Sequence, residues 1–169
     1  MTTTAPQPAA FWYWNEGTDV RAQTRLGAHP DAEGTAFAVW APNAVSASVI
    51  GDHDRWGTDG DHPLEPVRSS GVWAGRVAGV GNGDRYKFRL RTPDGQVLDK
   101  ADPFARRAEV PPATASVVDD RVHHFDDADW LARRAETAES SQPCSVYEVH
   151  LGSWGRTVAA QGRFPNYRE

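Results

Sequence analysis

A mainly β fold, an immunoglobulin-like antiparallel sandwich, is predicted by three features of this 169-residue chain. Short runs rich in β-favouring residues recur from Gly34 to Val118. Turn signals separate them, in keeping with 15 Gly and 12 Pro in the whole sequence. The clearest run, Arg85 to Arg91, places Tyr86, Phe88 and Leu90 on one side and charged residues on the other. Period-two alternation of that kind belongs to a strand with one buried and one solvated face.

The elements follow in order. Residues 1–10 are small, polar and proline-containing, and read as a disordered lead. Phe11-Trp12-Tyr13-Trp14 comes next. A strand face cannot bury four consecutive aromatics, so this segment is expected to wedge against another surface. Asp19 to Leu26, closed by Gly27, reads as a short helix. Strands are expected at Thr35–Ala41, Ser46–Ile50, Gly71–Val77, Arg85–Arg91, Gln96–Leu98 and Thr114–Val118. Pro42-Asn43 and Pro93-Asp94-Gly95 supply turns between them. Asp126 to Glu139 reads as a helix with Trp130, Leu131 and Ala135 on one face and Asp126 or Asp127 at its N-cap. Ser140 to Pro143 is a linker, and Val146–Leu151 is an apolar strand buried on both faces. Only fifteen residues follow Trp154, with Gly155, Gly162 and Pro165 among them. No partner strand is expected there, so the chain is read as stopping where a second domain begins.

Composition narrows the function. A net charge of −5 without a basic cluster argues against nucleic acid or an anionic membrane as partner. The single cysteine, Cys144, excludes an internal disulfide framework and fits a reducing compartment. No signal-peptide pattern or membrane-length apolar run is seen, so a soluble cytoplasmic protein is expected. Seven tryptophans favour aromatic surfaces.

Several local patterns coincide in order: Asn15-Glu16-Gly17-Thr18, Leu26-Gly27-Ala28-His29-Pro30, Phe37 to Ala44, Tyr86-Lys87-Phe88, Lys100 to Ala105, and Ser145 to Trp154. Together they resemble the N-terminal portion of bacterial 1,4-α-glucan (glycogen) branching enzymes of glycoside hydrolase family 13. The resemblance implies a domain order: lead 1–10, aromatic extension 11–30, a family-48 carbohydrate-binding module of immunoglobulin-like fold at 31–120, helix and linker 121–143, and the truncated start of a (β/α)₈ catalytic barrel at 144–169. It implies no metal or organic cofactor, and a barrel packing on Phe11–Trp14 and Val146–Leu151. The family's catalytic carboxylates lie on later barrel strands, so no catalytic residue is assigned and the chain by itself is expected to be inactive. Two other readings stay open. One is a stand-alone α-glucan-binding, regulatory or docking module. The other is the N-terminal part of a related debranching or trehalohydrolase-type enzyme.

For sugar contact the resemblance points to Trp56 and Lys87. Trp56 follows a strand in the loop from Gly51, where an indole can stack on a glucose ring. Lys87 matches a lysine that hydrogen-bonds a sugar hydroxyl. The family loop usually reads Gly-Asp-Phe-Asn-x-Trp, whereas His53 and Asp54 stand here. A second stacking tryptophan of glycogen-targeting members falls at Val97, and their final-strand asparagine is absent from Thr114-Ala115-Ser116. Binding is therefore expected to be weak. Trp40 and Trp73 read as core or inter-domain packing. Asp52, Asp54, Asp59 and Asp61 fail as a calcium loop, because an EF-hand needs ligands where Trp56 and Pro63 stand; a solvated acidic loop is expected. His123-His124 with nearby aspartates lack a metal-ligand companion. The Gly79 to Gly83 stretch lacks the Lys-Ser/Thr of a phosphate loop and reads as a turn.

Overall fold

In a computed structural model, residues 11–122, 124–137 and 145–150 are described, and they fall into two units divided after Val122. The first unit contains β1 (Gly27–Asp31), β2 (Gly34–Trp40), β3 (Ser46–Gly51), β4 (His62–Pro66) and β5 (Val72–Val77). It continues with β6 (Arg85–Arg91), β7 (Val97–Lys100), β8 (Arg107–Ala108) and β9 (Ser116–Val117). Every pairing is antiparallel, and the order is β1-β2-β5-β4-β3-β6-β9-β8, with β7 also on β6. β4 is the corner of this curled sheet. Its first residues pair with β3 (Ala47↔Leu64, Val49↔His62) and its last with β5 (Glu65↔Ala74, Pro66↔Trp73).

Side-chain alternation places the main core between the two halves of the sheet. Phe37 and Val39 of β2 meet Val49 of β3, Leu64 of β4, Val77 of β5, and Tyr86 and Phe88 of β6. The rings of Phe37, Tyr86 and Phe88 pack edge to face, with centroids 5.0 to 6.3 Å apart. Thr35 is the polar exception on this face, and its hydroxyl donates to the Val80 carbonyl at 2.7 Å. Close strand approach also requires Gly34: a Cβ there would stand 2.3 Å from the Val77 carbonyl oxygen.

The opposite side of β2 carries Gly34, Ala36 and Ala38 before Trp40 at its end, and the N-terminal segment packs against it. Phe11, Ala22 and Leu26 are buried against Ala38, Val72 and Ala74, with Trp14 and Phe104 alongside. A four-residue helix, α1 (Trp12–Asn15), divides the aromatic quartet: Phe11 and Trp14 turn inward, while Trp12 and Tyr13 are exposed. Trp14 meets both Trp40 and Phe104 edge-on at 5.9 Å. The aromatic wedge therefore uses half its residues within its own unit. The helix expected at Asp19–Leu26 is a 3₁₀ turn at Ala22–Thr24.

Trp73 packs on the core and its indole N–H donates to the Ala41 carbonyl at 3.1 Å. Trp40 does not enter the core and is 49% exposed.

In the second unit, α2 spans Ala128–Thr137, and the Leu131 N–H donates to the Asp127 carbonyl at 2.9 Å. Arg134 lies over the Trp130 ring. Of the strand expected at Val146–Leu151, only residues 146–150 are described. Residues 145–150 take no regular structure, and Val146 is 90% exposed. An apolar run becomes a strand only where another strand meets its backbone N–H and C=O groups. Leu151, His123, Cys144, the lead at 1–10 and the linker Ser140–Pro143 lie outside the described residues.

Candidate functional site

β3 ends at Gly51 and the chain passes through a 3₁₀ turn, Asp52–Asp54, into Arg55, Trp56 and Gly57. These last three residues take left-handed φ values of 51°, 61° and 82°. For arginine and tryptophan that region costs about 1–3 kcal/mol each, so the turn must be held from outside. Asp54 holds it. Its Oδ1 accepts the backbone N–H groups of both Gly51 and Gly57 at 2.9 Å, and the residue is only 2% exposed. The Trp56 N–H donates back to the Gly51 carbonyl at 2.8 Å. Gly51 is required by close approach: a Cβ would stand 2.2 Å from the Arg85 carbonyl oxygen and 3.0 Å from the His53 ring.

Arg85 clamps the turn from β6. Its Nε and Nη2 each donate to the Asp52 carboxylate at 2.8 Å, and its Nη1 reaches Glu109 at 3.1 Å. The hydrogen bond from Arg85 holds the Asp52 carboxyl below its usual range, with a smaller lowering contribution from the Trp56 side chain. Asp52 and then Glu109 raise the guanidinium in return.

Trp56 is half-buried. Lys87 lies across from Ile50 in the β3–β6 ladder, one position from the Gly51 that anchors Trp56. The two sugar-contact candidates thus share one end of this strand pair. The Lys87 ammonium donates to the Thr114 hydroxyl at 2.8 Å. Its neighbours along β6 are neutralised by carboxylates, as in the paired Arg89 to Asp99 bonds of 2.8 and 2.9 Å. Val97 is opposite Arg91 in the β6–β7 pair. At about 3.3 Å of rise per residue, four positions separate that register from Lys87 by about 13 Å.

The acidic loop is not uniformly solvated, contrary to the sequence expectation. Asp59 pairs with Arg55 at the surface, and Asp61 accepts from the Ser48 hydroxyl at 2.7 Å. Asp54 is buried because the left-handed turn needs an acceptor for two backbone N–H groups. Sequence reading also missed what this turn meets. His53 and Asp54 lie beside His62 at the start of β4, and one potential ligand atom from each falls within 4.8 Å of the others. The signal was present as two departures from the expected loop pattern, at positions 53 and 54.

Elsewhere in the first unit, a depression of about 470 Å³ is lined by Asn15, Trp40, Pro42, Arg68 and Trp73, among others.

Residues 25–105 match carbohydrate-binding module 48, the isoamylase N-terminal domain. The chain is 51% identical over 164 residues to the 1,4-alpha-glucan branching enzyme GlgB of Rhodococcus jostii, covering 92% of this chain and 21% of that one. It is 50% identical over 168 residues to the GlgB of Myxococcus xanthus, covering 94% and 22%, respectively. With the GlgB of Aromatoleum aromaticum the figures are 45% over 159 residues, covering 94% and 25%. The chain is similar over nearly its whole length to branching enzymes. It spans between a fifth and a quarter of the length of these relatives and corresponds to their N-terminal part. The residues that match module 48 hold β1 to β7 of the curled antiparallel sheet, and the Trp56 turn and Lys87 both lie inside them. No helix among the described residues is long and apolar enough to cross a membrane.

Proposed function

We propose that this chain is the α-glucan-contacting N-terminal part of a glycogen branching enzyme. The whole enzyme would transfer an α-1,4-glucan chain to a 6-hydroxyl, forming an α-1,6 branch, in the cytoplasm. The observation that carries the glucan contact is the Trp56 turn. Two non-glycine residues in a disfavoured backbone region, secured by a buried carboxylate and an arginine clamp, hold an indole at a fixed place. An indole fixed in this way loses little freedom when a sugar stacks on it. Lys87 supplies the polar partner: an ammonium has three N–H donors, and one is used on a neutral hydroxyl. Val97 offers no aromatic ring for a second stack, so affinity for glycogen is low.

The test is affinity electrophoresis of the purified chain through gels containing glycogen. Retardation is expected to be small and to vanish in Trp56→Ala, and Lys87→Ala is expected to weaken it. Retardation unchanged in Trp56→Ala would move the contact elsewhere, with the Trp40–Trp73 depression as the next place to mutate.

On this reading the chemistry belongs to parts of the enzyme outside the module. Retaining transfer needs a nucleophilic and an acid/base carboxylate about 5 Å apart across one glycosidic bond. Glu148 is not offered for either role. The 169-residue protein is expected to leave the iodine stain of amylose unchanged; loss of stain with formation of branches would overturn this assignment.

A further inference from the structure

The turn that carries Trp56 also gathers unsatisfied ligand atoms. His53 and Asp54 sit on the 3₁₀ turn after β3, and His62 opens β4, where it pairs with Val49. The two imidazole rings lie 4.9 Å apart, tilted by 46°. His53 Nε2 stands 3.7 Å from Asp54 Oδ2, too far for a hydrogen bond. Asp54 spends its Oδ1 on two backbone N–H groups. Its Oδ2, like both ring nitrogens of His53, is buried without a hydrogen-bond partner among the described residues.

Buried polar atoms in folded proteins are nearly always paired, and leaving one unpaired costs about 1–3 kcal/mol. Here the orphaned carboxylate oxygen and imidazole face a second imidazole, within the 4.8 Å that encloses one ligand atom from each residue. A single N–H or O–H donor answers one of these acceptors at a time, and each neutral imidazole keeps one lone-pair nitrogen. A cation satisfies both kinds of atom at once.

We propose that His53, Asp54 and His62 form a binding site for a divalent first-row transition cation, with Zn²⁺ as the probe of choice. Two imidazole nitrogens and one carboxylate oxygen suit this class, whereas Ca²⁺ and Mg²⁺ take oxygen-rich shells. Tetrahedral bonds of about 2.0–2.1 Å place ligand atoms about 3.4 Å apart. The 3.7 Å pair is already near that separation, and no pair of the three ligand atoms is more than 4.8 Å apart, a gap that side-chain rotation would have to close on binding. Three protein ligands leave a fourth position for solvent. The ion ties the Asp52–Gly57 turn to the first residue of β4, so its expected role is to stiffen the backbone that carries Trp56. The site rests on its own geometry and stands whether or not Trp56 touches glucan.

The test is isothermal titration of ZnCl₂ into the full chain, with three single variants. Asp54→Asn removes the charge but keeps an acceptor oxygen for Gly51 and Gly57, so the turn is retained. His53→Phe places at 53 the residue usual for the family loop, and His62→Gln lies outside the turn. The unaltered protein is expected to bind one Zn²⁺, and each variant to bind it at least about 100-fold more weakly, since even the loss of a residue that only supports a ligand costs up to that much. A visible absorption band of the Co²⁺-loaded protein is expected to disappear in the same variants, and Zn²⁺ is expected to raise Tm only in the unaltered protein. Circular dichroism of the metal-free proteins identifies any variant that has lost its fold, and Asp54→Asn decides in that event. No Zn²⁺ uptake, or equal uptake by the unaltered protein and the folded variants, would overturn the site and assign any bound ion to His124 or other histidines.

Discussion

Phe37→Ala is expected to destabilise the module by about 3–5 kcal/mol, the range for removing a fully buried aromatic ring from a core. Phe37 is 1% exposed on β2 and packs edge to face on Tyr86 and Phe88 of β6. β2 and β6 lie in different halves of the curled sheet, joined only through β5, β4 and β3. The ring therefore carries a contact that no backbone ladder between those two strands replaces. A domain of this size is stable by about 5–15 kcal/mol, so the loss consumes much of the margin. Urea denaturation should show a large fall in midpoint with little change in m. Trp12→Ala is the control: that ring is exposed on α1, and its removal should change stability by less than about 0.5 kcal/mol. A midpoint for Phe37→Ala close to that of Trp12→Ala would contradict the central place given to this contact.

The strands that alternate cleanly are the ones legible in the sequence. β6 declares itself because Tyr86, Phe88 and Leu90 contrast with Arg85, Lys87, Arg89 and Arg91. β2 is legible as a strand, but its second buried face is not, because Ala36 and Ala38 signal neither core nor solvent. That face depends on Phe11 and Leu26, brought there by the fold of the N-terminal segment. β1 and β4 were missed for a different reason. His29-Pro30 and His62-Pro63-Leu64-Glu65-Pro66 read as breakers, since proline lacks the N–H that a ladder needs. β1 tolerates Pro30 because it is an edge strand with one paired side. β4 tolerates two prolines because it divides its few pairings between β3 and β5.

The candidate site divides along the same line. Trp56 and Lys87 are recognisable because each belongs to a local pattern. The cluster of His53, Asp54 and His62 is not, because β4 was unseen and nothing local brings position 62 back to 53. The apolar run Val146–His150 shows the converse. Its composition favours a strand, yet strand formation is a property of pairs of segments, and composition describes only one of them.

Tyr86→Phe is expected to cost about 1–3 kcal/mol at neutral pH and less in acid. The Tyr86 hydroxyl donates to Asp102 Oδ2 at 2.5 Å in the interior, and the Phe104 N–H donates to Oδ1 at 2.7 Å. Burial is the largest influence on the Asp102 carboxyl and raises its pKa from 3.8, against the lowering effects of Tyr86, Phe104 and His29. Burial likewise raises the phenol, with the Asp102 charge adding to it. A carboxyl raised on folding contributes stability below its unfolded pKa and loses that contribution as pH rises through the folded value. Above the folded value Asp102 is ionised, and the phenol is one of the few groups compensating a buried charge. Removing the hydroxyl takes away a lowering influence, so the folded pKa moves further up and the penalty is full only where the carboxylate must ionise. As pH falls through the folded value, Asp102 is neutral in both proteins and the difference in stability shrinks. Urea melts of both proteins from neutral pH down to about pH 4 follow this convergence. A penalty that stays constant across the range would show that Tyr86 contributes packing alone. Asp102→Asn, made with Tyr86 intact, should flatten the pH dependence itself, because no carboxyl remains to be raised.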